Sequence, residues 1–349
     1  MTELAEPAVP VPHEEVRRYF SAAAPQPPPW TRTISDLRRE TRNEALAVRG
    51  RLEPVAAVEE LVIGNVPARL YRPARPVPPA RMAGGAQPAG PAPAAGGVLV
   101  WVHGGGWMHG DLDCYDNVAR ALANRAHCAV LAVAYRLAPE HPFPAGFDDV
   151  WTAITWAADH FGQVAVAGDS SGGNLAAAAA LKARDLGVVL AAQVLVYPVL
   201  ESHMNTLFKN SYRTRYASFL NQPGYGAETF DRISYIWDSY VPEQPLRDCP
   251  YVSPLHAGSL RAVAPALIIT AEHDILRREA QEYAQLLRAD GVPVEERNYE
   301  GQVHGFFQML GLMSDAQHAI GLAAEYVSRE LARPGRHPAG PHSSSPRPA

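Results

Sequence analysis

Residues 168–172 read Gly-Asp-Ser-Ser-Gly, a G-x-S-x-G pentapeptide with an apolar, β-branched run before it and an alanine-rich run after it. The pattern makes chemical sense between a strand and a helix. There the turn is sharp enough to hold a serine hydroxyl clear of the backbone, near a helix N-terminus whose dipole favours developing negative charge. Only Ser170 fits the register, because Asp169 would stand where Ser171 needs the first glycine. Ser170 is therefore the candidate nucleophile, and Ser171 lends its backbone N–H. The alternative is a glycine-rich turn with no chemistry.

A second element bears on that choice. His103-Gly104-Gly105-Gly106, within "VWVHGGGW", follows another apolar run. Consecutive glycines let backbone N–H groups face a cavity without side chains in the way. Acyl transfer needs such donors, since the carbonyl oxygen becomes an anion in the tetrahedral intermediate.

A serine at neutral pH also needs a base, and the base an orienting carboxylate. For a nucleophile on such an elbow the chain order is serine, acid, histidine. His304, in "EGQVHGFF", falls in a loop between a strand and a helix and is the candidate base. His203, His256, His273 and His318 are less well placed, and His337 and His342 lie in a Pro- and Ser-rich tail. The acid should follow the strand "PALIITA", where "EHDILRREA" offers Asp274, with Glu272 as the second choice. Asp274 can also cap the following helix, and the two roles are compatible.

These groups need a scaffold. Apolar strands near 97–102, 129–135, 163–168, 191–198 and 265–271 alternate with helical stretches near 115–126, 146–160, 172–185, 276–290 and 315–332, and "VEERNYE" reads as a last strand. "VEELVIG" and "PARLYRP" read as an opening hairpin. Continuous apolar strands alternating with helices imply an α/β fold with a mainly parallel central sheet covered on both faces. Two parts interrupt the alternation. Residues 1–45 are partly helical, and residues 201–246 are rich in aromatic side chains after a strand end, where a lid over a site belongs.

The expected layout is thus 1–45 as the N-terminal part of a helical lid and 46–200 as the first part of the core, with a flexible Pro/Ala/Gly-rich insertion at 73–97. Residues 201–246 follow as a lid insertion, 247–333 as the second part of the core, and 334–349 as a disordered tail.

Composition sets the outer bounds. The chain has 349 residues, 47% of them hydrophobic, and a net charge of −5, so no global field attracts nucleic acid or an anionic membrane. No apolar run is long enough to span a bilayer, and residues 1–20 lack the pattern of a signal peptide. Three widely spaced cysteines suit reduced thiols and a cytoplasmic location better than a disulfide frame. "DLDCYD" (111–116) is only faintly like a calcium loop, with Tyr115 in a ligand position. No metal site, phosphate loop or dinucleotide fingerprint is expected, and no cofactor.

Taken together, "HGGGW", "AYRLAPEHPFPA" (134–145), "GDSSGGN", "YPVL", "SPLHA" (253–257), "AEHDILRREA" and "HGFF" resemble the hormone-sensitive-lipase branch of the α/β-hydrolases, over roughly 55–330. The resemblance implies an α/β-hydrolase fold with a lid. It implies Ser170, Asp274 and His304 as triad, and the N–H groups of Gly105, Gly106 and Ser171 as oxyanion donors. His103 and Glu140 would brace the oxyanion loop and its neighbour. Two features depart from that branch: Ser171 stands where alanine is commoner, and the insertion at 73–97 is longer than usual. Trp107, Tyr212, Tyr216 and Phe219 are candidates for substrate contact.

The implied activity is a carboxylic-ester hydrolase acting on small to medium acyl esters through a covalent acyl-enzyme. The same triad also serves a biosynthetic acyltransferase or cyclase with an acceptor other than water. A non-catalytic small-molecule receptor on this scaffold typically loses the histidine base, which is retained here. The expected partner is a small-molecule ester, and a homodimer is compatible with the sequence.

Overall fold

The computed structural model describes residues 11–22, 27–74, 97–203 and 229–333. Among these residues eight strands form one sheet in the order β1-β2-β4-β3-β5-β6-β7-β8. The hairpin β1 (Ala57–Ile63) and β2 (Val66–Arg72) is antiparallel, and β2 joins β4 (Ala129–Val133) in the same sense. From β4 onward every pairing is parallel, through β3 (Val98–Val102), β5 (Val164–Asp169), β6 (Ala192–Val196), β7 (Ala266–His273) and β8 (Val294–Val303).

The strand sequences explain their places. β3, β4, β5 and β6 are buried at every residue, as expected of strands covered on both faces. β8 is different: Glu295, Glu296 and Arg297 are exposed near its start, and Gln302 and Val303 are buried at its end. Charged side chains along an edge strand discourage pairing with another chain.

Helices cover both faces. α3 (Asp116–Ala126) and α8 (Ser314–Leu331) pack together on one, and α4 (Ala145–Phe161), α5 (Ser171–Asp185) and α7 (Arg277–Ala289) lie on the other. Alanine is the best helix former and leaves no bulk. Ala176–Ala180 are all buried, so α5 lies close against the sheet.

Among the described residues three further helices stand outside this alternation. α1 (Glu14–Ala22) and α2 (Ile34–Val48) precede the sheet, and α6 (Thr229–Tyr240) ends the aromatic-rich insertion. Thr33 caps α2 by accepting the Asp36 N–H at 3.1 Å. Most of the 73–97 insertion, the 334–349 tail, and Tyr212, Tyr216 and Phe219 lie outside the described residues. Among the described residues no helix is long and apolar enough to cross a membrane.

Candidate active site

β5 ends at Asp169 and α5 begins at Ser171, leaving Ser170 between them at φ 54°, ψ −119°. A non-glycine residue in that region is strained by roughly 1–3 kcal/mol and persists only where the surroundings over-determine it. Here they do. The Ser170 N–H donates to the Val196 carbonyl at 2.8 Å, and its own carbonyl accepts from Asn174 and Val199. The flanking glycines are required by close approach. A Cβ on Gly172 would stand 2.1 Å from the Val102 carbonyl oxygen, and one on Gly168 would stand 2.3 Å from the Gly172 oxygen.

His304 follows β8 and is held by what surrounds it. Gly305 turns the chain at φ 86°. Phe306 and Phe307 are fully buried beneath the loop, and Phe307 stacks on Trp101 of β3 at 5.8 Å. The imidazole leans on Tyr197, with ring centres 4.6 Å apart, and 40% of its side chain remains open.

His304 Nε2 lies 3.0 Å from Ser170 Oγ, and Nδ1 lies 2.7 Å from Asp274 Oδ2. The network is satisfied when Nδ1–H donates to the carboxylate and Nε2 accepts the hydroxyl proton. The Asp274 side chain is completely buried, and its other oxygen accepts the Leu276 N–H at 2.8 Å. It therefore caps its own loop and contacts the ring at once. Glu272, the second choice, is turned elsewhere: its carboxylate accepts the Gly301 N–H. His318 is bonded to Tyr299.

Desolvation favours the neutral form of His304. The adjacent Asp274 carboxylate outweighs it, with smaller help from Asp169 and Glu279, and the pKa lies above the ordinary histidine value.

The glycine loop after β3 is folded tightly back on itself. Gly105 sits at φ 120°, and a Cβ there would stand 2.0 Å from the His109 carbonyl oxygen. The Gly104 N–H donates to Asp169 Oδ1 at 2.7 Å. No acceptor among the described residues takes the N–H of Gly105, Gly106 or Ser171. His103 is buried between the rings of Tyr115 and Tyr135, and its Nδ1 contacts the Gly104 oxygen at 2.8 Å.

Asp169 is a site residue that motif reading passed over, since the pentapeptide leaves its position open. It is buried and accepts from both Gly104 N–H and Tyr115 O–H, so it clips the glycine loop to the serine elbow. Burial pushes its carboxyl up to about 6, against the lowering effect of those two donors.

Glu140 is fastened to α2, where Arg38 donates to both its oxygens at 2.9 and 2.7 Å. Arg38 also donates to the carbonyls of Met108 and Ala138, so it ties the glycine loop's exit to the 134–145 segment. Trp107 differs from its expected part. Only 1% of it is exposed, and it stacks on Tyr240 at 4.2 Å and against Trp237 at 4.6 Å. Its ring packs α6 onto the glycine loop and offers a substrate almost no surface. In the faintly calcium-like segment, Arg42 pairs with both Asp111 and Asp113, and Arg69 with Asp113, so these carboxylates already have cationic partners.

An eight-stranded, mostly parallel sheet with a serine elbow after β5 and a histidine after the last strand defines the α/β-hydrolase architecture. Known proteins agree. The alpha/beta hydrolase fold family matches residues 99–308. Carboxylesterase NlhH of Mycobacterium tuberculosis is 38% identical over 245 residues, 67% of this chain and 74% of its own length. The arylesterase of Saccharolobus solfataricus is 33% identical over 279 residues, 77% of this chain and 83% of that one. A solved hyperthermophilic esterase from the archaeon Pyrobaculum calidifontis superposes with a TM-score of 0.79 at 30% identity, covering 93% of this chain and all of that one. The chain belongs to the alpha/beta hydrolase fold family, in its hormone-sensitive-lipase-like branch.

Proposed function

We propose that this ester-hydrolysing enzyme works as a serine hydrolase on small to medium acyl esters, with Ser170 as nucleophile, His304 as base and Asp274 as acid. The observation that carries the reading is the continuous chain Asp274–His304–Ser170 at 2.7 and 3.0 Å, ending on a strained elbow.

In this reading His304 Nε2 takes the Ser170 hydroxyl proton as Oγ attacks the ester carbonyl. The oxyanion so formed accepts the free N–H groups of Gly105, Gly106 and Ser171. Asp274 stabilises the imidazolium, which passes its proton to the departing alkoxide. Water, deprotonated by the same nitrogen, then releases the acid from acyl-Ser170. In this reading α1, α2 and α6 belong to a cap that limits the acyl chain, so four-carbon esters should turn over faster than sixteen-carbon ones.

The test is covalent. A fluorophosphonate should inactivate the enzyme in step with modification of one serine, located in the Ser170 peptide by mass spectrometry. Labelling of Ser171, or full inactivation without adduct at Ser170, would refute the assignment.

A further inference from the structure

Where the chain leaves β6, Glu201 and His203 meet two segments from later in the sequence: the turn Gln244–Asp248 and the turn Pro254–His256. The Glu201 carboxylate is only 12% exposed and divides its oxygens between two imidazoles. Oε1 lies 2.9 Å from His203 Nδ1, and Oε2 lies 2.9 Å from His256 Nε2. The two rings are stacked, 5.4 Å apart and inclined by 18°. On their far side one atom, Asp248 Oδ1, lies 3.6 Å from His203 Nε2 and 3.3 Å from His256 Nδ1. Ligand atoms of Glu201, His203 and His256 all lie within 4.8 Å of one another.

Each ring thus has a Glu201 oxygen within hydrogen-bond reach of its inner nitrogen, and the Asp248 carboxylate lies somewhat farther from its outer one. A neutral imidazole carries one N–H, which can sit on either nitrogen. A cation at the Glu201 side would take the inner lone pairs of both rings and leave each proton on the outer nitrogen, on the side of Asp248. A nearby carboxylate there can fix the tautomer and orientation of a metal-bound histidine. The three segments are already tied together. The Ser202 N–H donates to Ser253 Oγ, both serine hydroxyls donate to the Arg247 carbonyl, and the Leu255 N–H donates to the Leu200 carbonyl.

We propose that Glu201, His203 and His256 bind one divalent transition-metal ion of the Zn2+ class, with Asp248 orienting both imidazoles. Two nitrogens and one oxygen suit Zn2+ and leave a fourth position for water, whereas Ca2+ and Mg2+ call for an all-oxygen shell. His203 is half exposed, so the ion enters directly from solution. The residues of this site are not those of the Ser170–His304–Asp274 cluster. Its effect is to fasten the exit of β6 to the 253–256 turn.

The experiment uses the full chain, free of any affinity tag and stripped with a chelator. Zn2+ titrated by calorimetry should bind with a stoichiometry of one and raise the melting temperature saturably. His203→Ala and His256→Ala should each weaken binding at least about tenfold. Asp248→Asn should weaken it about 10- to 100-fold while the stoichiometry stays at one. His13→Ala, in the separate His13–Glu15–Asp315 group, should leave the isotherm unchanged. Co2+ in place of Zn2+ should give a visible band that the His203→Ala variant lacks. The proposal is overturned if the double variant of His203 and His256 still binds with wild-type affinity, if millimolar Zn2+ produces no isotherm, or if Ca2+ competes on equal terms. Circular dichroism of the metal-free variants shows whether each is folded, and Asp248→Asn tests the site without removing a ligand.

Discussion

The loops around Ser170 and the helices α2 and α6 hold their side chains by different means. In the loops, the position of each atom is set by backbone. Ser170 is locked by three main-chain hydrogen bonds, Asp274 by the Leu276 N–H, and the glycine loop by Gly104 N–H on Asp169. The helices α2 and α6 each have a main-chain bond, from Gly311 N–H to Val48 and from Phe143 N–H to Tyr240, but most of their attachment is by side chains: Arg38 on Glu140, Arg42 on Asp111 and Asp113, and Trp107 against Trp237 and Tyr240. Backbone hydrogen bonds in a buried strand–turn–helix leave little freedom, whereas half-exposed ion pairs are individually weak and screened by salt. The loops have the precision chemistry needs, and the helices can shift without loss of that precision.

The comparison is broken most directly at the loops. Ser170→Ala and His304→Ala should each reduce kcat by about 10⁴-fold or more, with the melting temperature nearly unchanged. Ser171→Ala should cost far less, since only its N–H is used. Steady-state kinetics on p-nitrophenyl butyrate decide this, and near-normal turnover by Ser170→Ala would end the reading. Asp274→Asn keeps the shape but favours the wrong tautomer, and a loss of about 10⁴-fold is expected.

At the junction of loops and helices, Trp107→Ala removes a fully buried ring and should destabilise the fold by about 3–5 kcal/mol in chemical denaturation. A smaller loss would mean that α6 is not held by that ring.

The pH profile sharpens the loop side further. The base must be neutral, and Asp274, Asp169 and Glu279 all favour the protonated ring. Protonated His304 therefore persists to higher pH than an ordinary histidine. The acid limb of kcat/KM should have its midpoint above ~6.5, the unperturbed value. Asp169→Asn removes one of these charges and should move the midpoint down. NMR titration of the His304 ring in Ser170→Ala measures the same shift without turnover.

The smallest effect belongs to the helices. Glu140→Gln, which leaves Arg38 on the Met108 and Ala138 carbonyls, should lower stability by about 1 kcal/mol or less, because the ion pair with Arg38 is substantially exposed. It should change kcat less than about tenfold. If it abolished turnover as Ser170→Ala does, the division between loops and helices would be wrong.

Much of this molecule could be read from local sequence. The elbow was legible because its geometry is imposed within five residues: Gly168 and Gly172 exist to avoid contacts that any Cβ would make. The mainly parallel sheet was legible because β3 to β6 are almost wholly apolar, with Asp169 and Gln193 the polar exceptions. His304 and Asp274 were legible as loop residues after strands.

Other features required the chain to be folded first. The choice of Asp274 over Glu272 depends on which carboxylate faces the ring once β7 lies beside β8, where the register shifts between Ala271 and His273. Trp107 reads as a candidate for substrate contact beside a glycine loop, yet α6 arrives from far along the chain and buries it. Asp169 has no motif of its own because its partners, Gly104 and Tyr115, are on other elements. The Glu201–His203–His256 corner is likewise invisible along the chain, since Glu201 and His256 are 55 residues apart. Short-range sterics and strand patterning determine where a turn falls and which faces are buried. Contacts between residues distant in sequence, such as Ser170 and His304 at a separation of 134, exist only because the order of strands in the sheet brings their ends together.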